Sequence, residues 1–386
     1  MPVDFEVPER IHRYRFSCED RSLVQAPFDR LINRPLLSRT PRELNPNVLT
    51  FTGHAAAVFV FLLLAAITNA AISDVTLRLV ALCSALLLFL YCITDSMDGL
   101  QARRIGVSNP LGDFYDHGLD AFAGFSIPLG GFAAYGATAN ECMVLAVAFS
   151  LGWWSNNLDR RRTNSLVLPP FGAMEGNFLA IVVHLATVVA GGALWRARVG
   201  SVGAADVLTV VAALGYAAVG VEALVKVGRE RRNVLGIGVN VALVCAWHLQ
   251  AQSMGGVPGA PLLGPVVLCL VAVKHNWDIL RNILFGTRYR GWDLQLTALL
   301  VGWNVTLHLP GGYEVQTTVA AGVLVMVALK LGWQLMHSTR FAVGTLGLGL
   351  LVLTPEQRRR DPAAVANIPV APERAAKART PVDHLE

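Results

Sequence analysis

The amino-acid sequence predicts an all-α, polytopic membrane protein with about ten transmembrane helices. Of its 386 residues, 54% are apolar and only 15% are charged, whereas soluble domains carry about 25% charged residues. Ten apolar stretches approach the ~20 residues that a helix needs to cross a bilayer. Because these stretches occupy roughly half of the chain, little remains for a soluble domain.

The predicted organisation places the membrane helices between two polar ends. A cytosolic, arginine-rich arm at 1–47 lies partly at the membrane interface, and it precedes a membrane core at 48–225 and additional helices at 226–340. A short apolar segment at 341–354 and a disordered tail at 355–386, rich in Pro, Ala and charge, follow. The predicted spans are 48–70, 76–96, 117–136, 141–158, 174–195, 203–225, 233–252, 262–283, 295–312 and 316–337.

Charge predicts orientation and excludes one class of function. The net charge of +5 is too small for the dense basic face of a nucleic-acid-binding protein. Lys and Arg are abundant in the arm and in the connections on its side of the membrane, whereas the opposite connections hold only Arg78, Arg196 and Arg198. The positive-inside rule therefore places both termini, and the connection after the second span, in the cytosol.

An acidic cluster surrounds that connection. Asp95 and Asp98 are three residues apart, and Asp116 and Asp120 are four apart, so each pair shares one helix face. Asp120 lies about one turn into an apolar run, where an unpaired charge is costly. For any single aspartate a solvated acidic loop is the simpler interpretation, but that interpretation does not account for the whole regular set.

Carboxylates that converge from two helix ends repel one another unless cations lie between them. Oxygen ligands without cysteine favour Mg²⁺ or Mn²⁺, here two ions, and paired metal ions are typical of phosphoryl transfer. Gly99 and Gly112 would allow close approach of a phosphate, and Arg103 offers a planar fork to bind it. The six scattered cysteines form no CxxC pair and do not indicate zinc.

The spacing of these residues carries a family resemblance. The string D-x2-D-G-x2-A-R-x8-G-x3-D-x3-D resembles the signature of the CDP-alcohol phosphotransferase family. That resemblance implies a two-metal site at the cytosolic interface, where a phospho-alcohol passes from a CDP-linked donor to a hydroxyl and CMP is released. Its fixed positions are Asp95, Asp98, Gly99, Ala102, Arg103, Gly112, Asp116 and Asp120.

Within that family the chain is most similar to the eukaryotic choline/ethanolaminephosphotransferases. The similar strings are Gln101-Ala102-Arg103-Arg104, Ser108-Asn109-Pro110-Leu111-Gly112, Asp116-His117-Gly118 and Asn45-Pro46-Asn47-Val48-Leu49-Thr50. About ten spans also suit this branch better than its shorter prokaryotic relatives. The chain departs from the branch at Leu100, Asp113 and Leu119, where Lys, Glu and Cys are common, and this weakens any inference about the headgroup.

The resemblance implies a role for each site residue. His117 is the expected general base, with Asp120 as its rival. Arg103 would bind the diphosphate, and Asn47 and Asp113 would contact the cytidine nucleotide. Glu175 is a weaker candidate for the substrate rim, and a carboxylate at a helix start is an equally good interpretation. Asp95, Asp98, Asp116 and Asp120 would hold the metals, and Gly99, Ala102 and Gly112 would line the substrate.

The function that the resemblance implies is transfer of phosphoethanolamine and/or phosphocholine from CDP-ethanolamine or CDP-choline to diacylglycerol or an ether-linked analogue. The implied setting is a homodimer in the endoplasmic reticulum or another internal membrane, with its site facing the cytosol. One alternative uses CDP-diacylglycerol and a soluble alcohol such as inositol. A cation transporter would instead spread its carboxylates through the bilayer, and an inactive family member is disfavoured by the intact motif.

Two further groups of residues invite interpretation. Tyr115, Trp153 and Trp154 are candidates for an aromatic cage around choline, although Trp and Tyr near an interface are more often belt residues. Lys274 and Asp278 interrupt the eighth span with His275 and Asn276 between them, and their spacing favours a simple ion pair over a role in lipid access.

Overall fold

The computed structural model describes residue 14 and residues 16–226, 231–257, 260–289, 291–309 and 312–359. This part of the chain is predominantly helical, and the prediction of an all-α protein is confirmed. Much of the predicted tail at 355–386 lies outside the described residues, as do residues 1–13 and 15 of the predicted arm.

The arm packs on the membrane core through a small sheet and a bent helical segment. Strand β1 (Cys18–Asp20) pairs in parallel with β2 (Leu166–Leu168). Helix α1 (Gln25–Phe28) continues through a π-helical turn at Asp29–Asn33 into α2 (Arg34–Arg39). The arm is thereby attached to residues nearly 150 positions later in the sequence.

The long helices that follow overlap the predicted spans, and two short helices accompany them. In chain order they are α3 (Pro46–Ile67), α4 (Asp74–Arg104), α5 (Pro110–Ala134), α6 (Ala139–Thr163), α7 (Ala173–Ala190), the short α8 (Gly192–Arg196), α9 (Ala204–Lys226), α10 (Arg231–Ser253), α11 (Leu263–Phe285), α12 (Leu294–Thr306), α13 (Gly312–Leu346) and the short α14 (Pro355–Arg359). A two-residue antiparallel pair, β3 (Arg198–Val199) with β4 (Val202–Gly203), precedes α9.

Six helices among the described residues are long and apolar enough to cross a membrane, which agrees with a polytopic membrane protein. The remaining long helices are either shorter in their apolar part, as in α9 and α12, or more polar, as in α5 and α6. Helices α5 and α6 are more polar because α5 starts with the acidic motif and α6 ends in Asp159 and three arginines.

Two predicted boundaries differ from the structure. Helix α13 continues to Leu346, so the predicted separate segment at 341–354 is in its first part an extension of the last long helix. No proline interrupts the helix there, and it ends where Gly347 adopts a positive φ of 63°. Helix α4 likewise continues through the acidic motif to Arg104, beyond the predicted end at 96.

Helix packing brings the motif-bearing ends together. Helix α3 packs against both α4 and α5, and Val60, Leu64 and Leu88 are completely buried between them. Helix α11 supports α5 from the other side, where the Trp277 indole donates a hydrogen bond to the Gly118 carbonyl at 2.7 Å. Because Gly118 has no side chain, the indole reaches this backbone oxygen, and it would lie 3.2 Å from an added Cβ.

Candidate active site

The two halves of the motif lie on two helix ends joined by five residues. Helix α4 ends at Arg104, and α5 begins at Pro110 after Gly106, which has a positive φ of 71°. The Asn109 side chain caps α5, since its Oδ1 accepts hydrogen bonds from the backbone N–H groups of Leu111 at 2.9 Å and Gly112 at 3.0 Å. This cap and the proline fix the start of the helix that carries the second half of the motif.

Asp120 lies at the centre of the cluster. Its Oδ1 accepts a hydrogen bond from the Tyr91 hydroxyl at 2.6 Å, and it lies 3.3 Å from Nε2 of His54. Two groups of side chains that could hold a metal ion share this aspartate: one adds His54 and Asp95, and the other adds Asp116 and His117. Within each group the ligand atoms lie within 4.8 Å of one another.

The two aspartates of α4 have different surroundings. Asp98 is buried and accepts a hydrogen bond from the hydroxyl of Thr50 on α3. Oδ1 of Asp95 is buried without a hydrogen-bond partner. An unsatisfied carboxylate oxygen beside other carboxylates is unfavourable, and a bound cation would satisfy it. The donor set therefore fits a hard divalent metal.

His117 lies between the aspartates of α5. Its Nδ1 is 3.3 Å from Oδ2 of Asp116 and 3.8 Å from Oδ2 of Asp120. Its Nε2 has no hydrogen-bond partner and lies 3.8 Å from Oδ1 of Asp113. In the tautomer that donates from Nδ1 to Asp116, Nε2 carries the lone pair that a general base requires. The ring of Phe16, from the arm, packs edge-on against the imidazole at 5.6 Å.

Asp113 is held by two distant groups. The Arg160 guanidinium at the end of α6 and the Tyr14 hydroxyl both donate hydrogen bonds to it. Burial, together with the Asp113 carboxylate, raises the pKa of Tyr14 well above its usual value, so Tyr14 remains a donor. The Arg160 guanidinium also lies 5.6 Å from the centre of the Phe16 ring. Asp113 thus joins the arm, α5 and α6.

Two neighbouring arginines have different surroundings. Arg104 donates to the backbone carbonyl of Thr40 at 3.0 Å, which fixes the end of α2. Arg103 is exposed, and no described carboxylate forms an ion pair with it. Its guanidinium folds over Gly99, where an added Cβ would lie 3.2 Å from one of its nitrogens. Ala102 packs beside the small apolar cluster that follows α4.

Asn47 forms the wall of the site on α3. It is buried, and its side-chain amide donates to the Leu350 carbonyl at 2.7 Å. Its side-chain oxygen lies beside Gly112, where an added Cβ would be 3.5 Å away. The neighbouring Asn45 caps α3 and donates to the Gly349 carbonyl at 3.4 Å. The chain beyond α13 therefore closes this side of the motif.

The weaker candidates have internal contacts. The Glu175 carboxylate accepts hydrogen bonds from the backbone of Leu23 at 2.8 Å and Gly172 at 2.8 Å, so it anchors the arm and caps α7. The Tyr115 hydroxyl contacts Thr339, and the buried Trp154 donates to the Ala272 carbonyl at 3.0 Å. Trp153 stacks on an α6 neighbour, Phe149. Tyr115, Trp153 and Trp154 therefore serve helix packing.

Sequence reasoning missed several side chains that touch the predicted set, among them Tyr91, which donates to Asp120. Thr50 and His54 follow Asn47 at intervals of three and four residues, so they extend one polar stripe along α3. The spacing rule that united the aspartates would have revealed this stripe. Tyr14 and Arg160 have no comparable local signal, because their contacts with Asp113 depend on the folded arm and on α6.

The sequence is similar to a known protein family and to several of its curated relatives. Residues 43–203 match the CDP-alcohol phosphatidyltransferase family. Choline/ethanolaminephosphotransferase 1 of Arabidopsis thaliana is 32% identical over 202 residues, which cover 49% of each chain. Cholinephosphotransferase 1 of Xenopus laevis is 29% identical, over 50% of this chain and 48% of its own.

A third relative, whose name specifies CDP-diacylglycerol, is similar to this chain to about the same extent. The CDP-diacylglycerol--serine O-phosphatidyltransferase of Encephalitozoon cuniculi is 29% identical over 51% of each chain. The matched region spans about half the length of these curated relatives. The chain carries a CDP-alcohol phosphatidyltransferase domain, and the family resemblance inferred from the motif is confirmed.

Proposed function

We propose that the protein transfers phosphoethanolamine or phosphocholine from the corresponding CDP-alcohol to the hydroxyl of diacylglycerol or an alkyl-acylglycerol, releasing CMP. The observation that carries this proposal is the cluster of Asp95, Asp116 and Asp120, with His117 beside it and the buried Asp98 one turn beyond Asp95 on the same helix. The names of the Arabidopsis and Xenopus relatives support the aminoalcohol class. We further propose an internal membrane, with the site on its cytosolic face, as the location.

The four aspartates, with His54 as an additional ligand, are the proposed holders of two Mg²⁺ or Mn²⁺ ions. The unsatisfied Asp95 oxygen and the two ligand groups that share Asp120 support this assignment. Bound there, the ions would neutralise charge on the diphosphate and on the departing CMP. The guanidinium of Arg103 is exposed and forms no ion pair with a described carboxylate, so it is available to bind the same diphosphate.

His117 is the proposed general base. The acceptor hydroxyl loses its proton to Nε2 as its oxygen bonds to the β-phosphorus of the donor. The bond from that phosphorus to the bridging oxygen breaks, and CMP leaves with the bonding electrons. Asp116 would orient the imidazole through Nδ1. Asp120 is less available as a base because Tyr91 and His54 already contact one of its oxygens.

The second candidate function is transfer of a phosphatidyl group from CDP-diacylglycerol to a soluble alcohol. The Encephalitozoon relative favours it, since its name includes that donor. In this reaction the lipid would enter as the donor, whereas in the first it enters as the acceptor. The same carboxylates would serve both reactions, so the donor distinguishes them.

The test uses purified full-length protein in detergent with Mg²⁺ or Mn²⁺. Each of CDP-ethanolamine and CDP-choline is supplied with diacylglycerol, and CDP-diacylglycerol is supplied with serine or inositol. CMP release and lipid product are followed for the wild type, His117→Ala and Asp116→Asn. We expect turnover with a CDP-aminoalcohol that both variants lose. Turnover with CDP-diacylglycerol alone would select the second candidate, and no turnover with any donor would refute both.

A further inference from the structure

A second group of buried charges lies outside the matched domain, in a cavity between α11, α12 and α13. The cavity has a volume of about 410 Å³, which is within the range of small-ligand sites. It contains four cationic and two acidic side chains together with aromatic rings. None of the motif residues lines it.

Most of these charges are paired within the protein. Lys274 contacts Asp278 at 2.7 Å and Asp293 at 2.6 Å, and Lys330 contacts Asp293 at 3.0 Å. Although burial alone would raise the pKa of Asp293, the two lysines lower it below its usual value. Two lysines are therefore paired with two aspartates.

Two arginines form no close ion pair with a described carboxylate, although the charge of Asp278 acts on Arg281 at longer range. Arg281 is only 7% exposed, and its guanidinium donates to Ser338 Oγ at 3.0 Å and contacts His337 Nδ1 at 3.3 Å. No described carboxylate forms an ion pair with Arg281. The nearby Asp278 instead pairs with Lys274 and accepts a hydrogen bond from the side-chain amide of Gln334. The second arginine, Arg288, is exposed at the rim and likewise forms no ion pair with a described residue. A buried guanidinium without an anion is unfavourable unless a ligand supplies one.

Large apolar side chains lie at the mouth of the cavity. Trp333 lies beneath Arg281, with the guanidinium 5.2 Å from its ring centre, and is 53% exposed. Trp292 and Leu294 are also exposed there. On the opposite face of α11, Trp277 contacts Gly118, so the cavity lies at the same level of the helix bundle as His117. A charged interior, with exposed tryptophan and leucine side chains beside Arg288 at the rim, suits a molecule with an anionic head and apolar chains.

We propose that this cavity binds a phosphate group, supplied by an anionic phospholipid that remains bound beside the catalytic domain. Arg281 and Arg288 hold the phosphate, because they are the two cations of the cavity that form no ion pair with a described carboxylate. The two tryptophans contact the first part of the acyl chains. The proposal does not depend on the donor or acceptor used at the motif.

The test measures binding to full-length protein in detergent micelles by isothermal titration. The probes are short-chain phosphatidic acid, the matching short-chain diacylglycerol and inorganic phosphate. Arg288→Gln, at the exposed rim, is expected to weaken phosphatidic acid binding about tenfold, and Arg281→Gln by more, since each removes a charge-assisted hydrogen bond. If Arg281→Gln does not fold, Arg281→Lys replaces it: this variant keeps the positive charge but loses the planar fork of the guanidinium, and it is also expected to weaken phosphatidic acid binding. Arg340→Gln, an exposed change on α13 outside the cavity, is the matched control and is expected to bind as the wild type does.

The outcomes separate the possible sources of the phosphate. Tighter binding of phosphatidic acid than of inorganic phosphate, weakened by the Arg281 and Arg288 variants alone, supports a lipid site. Equal binding of both probes with the same variant pattern supports a phosphate site filled from solution. Equal binding of diacylglycerol and phosphatidic acid, or equal effects of all arginine variants, would overturn the proposal.

Discussion

Buried charge is arranged in opposite ways in the two halves of this protein. Between α3, α4 and α5, carboxylates lie beside one another and one oxygen of Asp95 has no partner. Between α11, α12 and α13, both carboxylates contact lysines. Like charges held together require an outside cation, whereas paired charges mainly hold helices in register. The difference implies that the same chemical change should have opposite consequences in the two places.

Neutralising the carboxylate cluster should have the largest effect on activity. We expect Asp95→Asn and Asp98→Asn each to lower turnover about 10³-fold or more, because the residues of such a site act as a unit. Metal binding provides a separate measurement: Mn²⁺ should raise the melting temperature of the wild type but not of these variants. Asp206→Asn, a carboxylate at the start of α9, is the matched control and should behave as the wild type.

Without metal, the same substitutions should raise the melting temperature, because they remove repulsion between neighbouring carboxylates. Melting in the presence of a chelator measures this directly. If Asp95→Asn melts at a lower temperature than the wild type under these conditions, the aspartates stabilise the fold. The two regions would then not differ in how buried charge affects stability.

Removing the proposed base should have the next largest effect. His117→Ala is expected to lower turnover about 10²- to 10⁴-fold while the Mn²⁺-induced rise in melting temperature remains. His54→Ala, which removes a contact to Asp120 from α3, should instead reduce that rise. If His117→Ala abolishes metal binding as thoroughly as Asp98→Asn does, the histidine is a ligand, and the assignment as base is wrong.

A substitution in the charged cavity should lower the stability of the folded protein. Asp293→Asn leaves Lys274 and Lys330 without their shared partner, and we expect a loss of about 3 kcal/mol of unfolding free energy. Turnover per folded molecule should be retained. Thermal unfolding in detergent, followed together with activity, measures both quantities. Unchanged stability would show that the two regions do not differ in the way inferred above.

The stability lost in Asp293→Asn should depend on pH in one direction only, because it requires the ionised Asp293 carboxylate. The lysines lower the pKa of Asp293, so its contribution to stability is complete above the unfolded value of about 3.9 and is lost as pH falls further. The difference in melting temperature between wild type and Asp293→Asn should therefore be constant from pH 7 to about pH 5 and should narrow only below about pH 4. Narrowing already near pH 6 would indicate that another group titrates there.

The smallest predicted effect concerns the arm. Glu175→Gln weakens the acceptor that binds the arm backbone at Leu23, and we expect a loss of about 1 kcal/mol. Limited proteolysis should cut the arm faster, and turnover should fall only a few-fold because Phe16 and Tyr14 lie against the site. Unaltered proteolysis would show that β1 alone secures the arm.

The sequence was sufficient to predict the helices and the acidic motif because both depend on local patterns. Apolar runs of membrane-spanning length locate the helices, and spacings of three and four residues place Asp95 with Asp98 and Asp116 with Asp120. The pairing of Asp113 could not be predicted in this way. Its partners Tyr14 and Arg160 lie 99 and 47 residues away, on segments with no shared periodicity. The continuation of α4 to Arg104 was missed because hydropathy marks the end of an apolar run, which is not always the end of a helix.

The contacts of Asn45 and Asn47 with Gly349 and Leu350 have a consequence for biosynthesis. The motif is complete once α5 has been synthesised, but the backbone carbonyls that hold these two asparagines belong to residues made about 300 positions later. A nascent chain that has inserted only its first helices therefore has every aspartate and lacks the closing segment. Such a chain should become competent only after α13 has left the ribosome and entered the bilayer, which delays activity until insertion is finished.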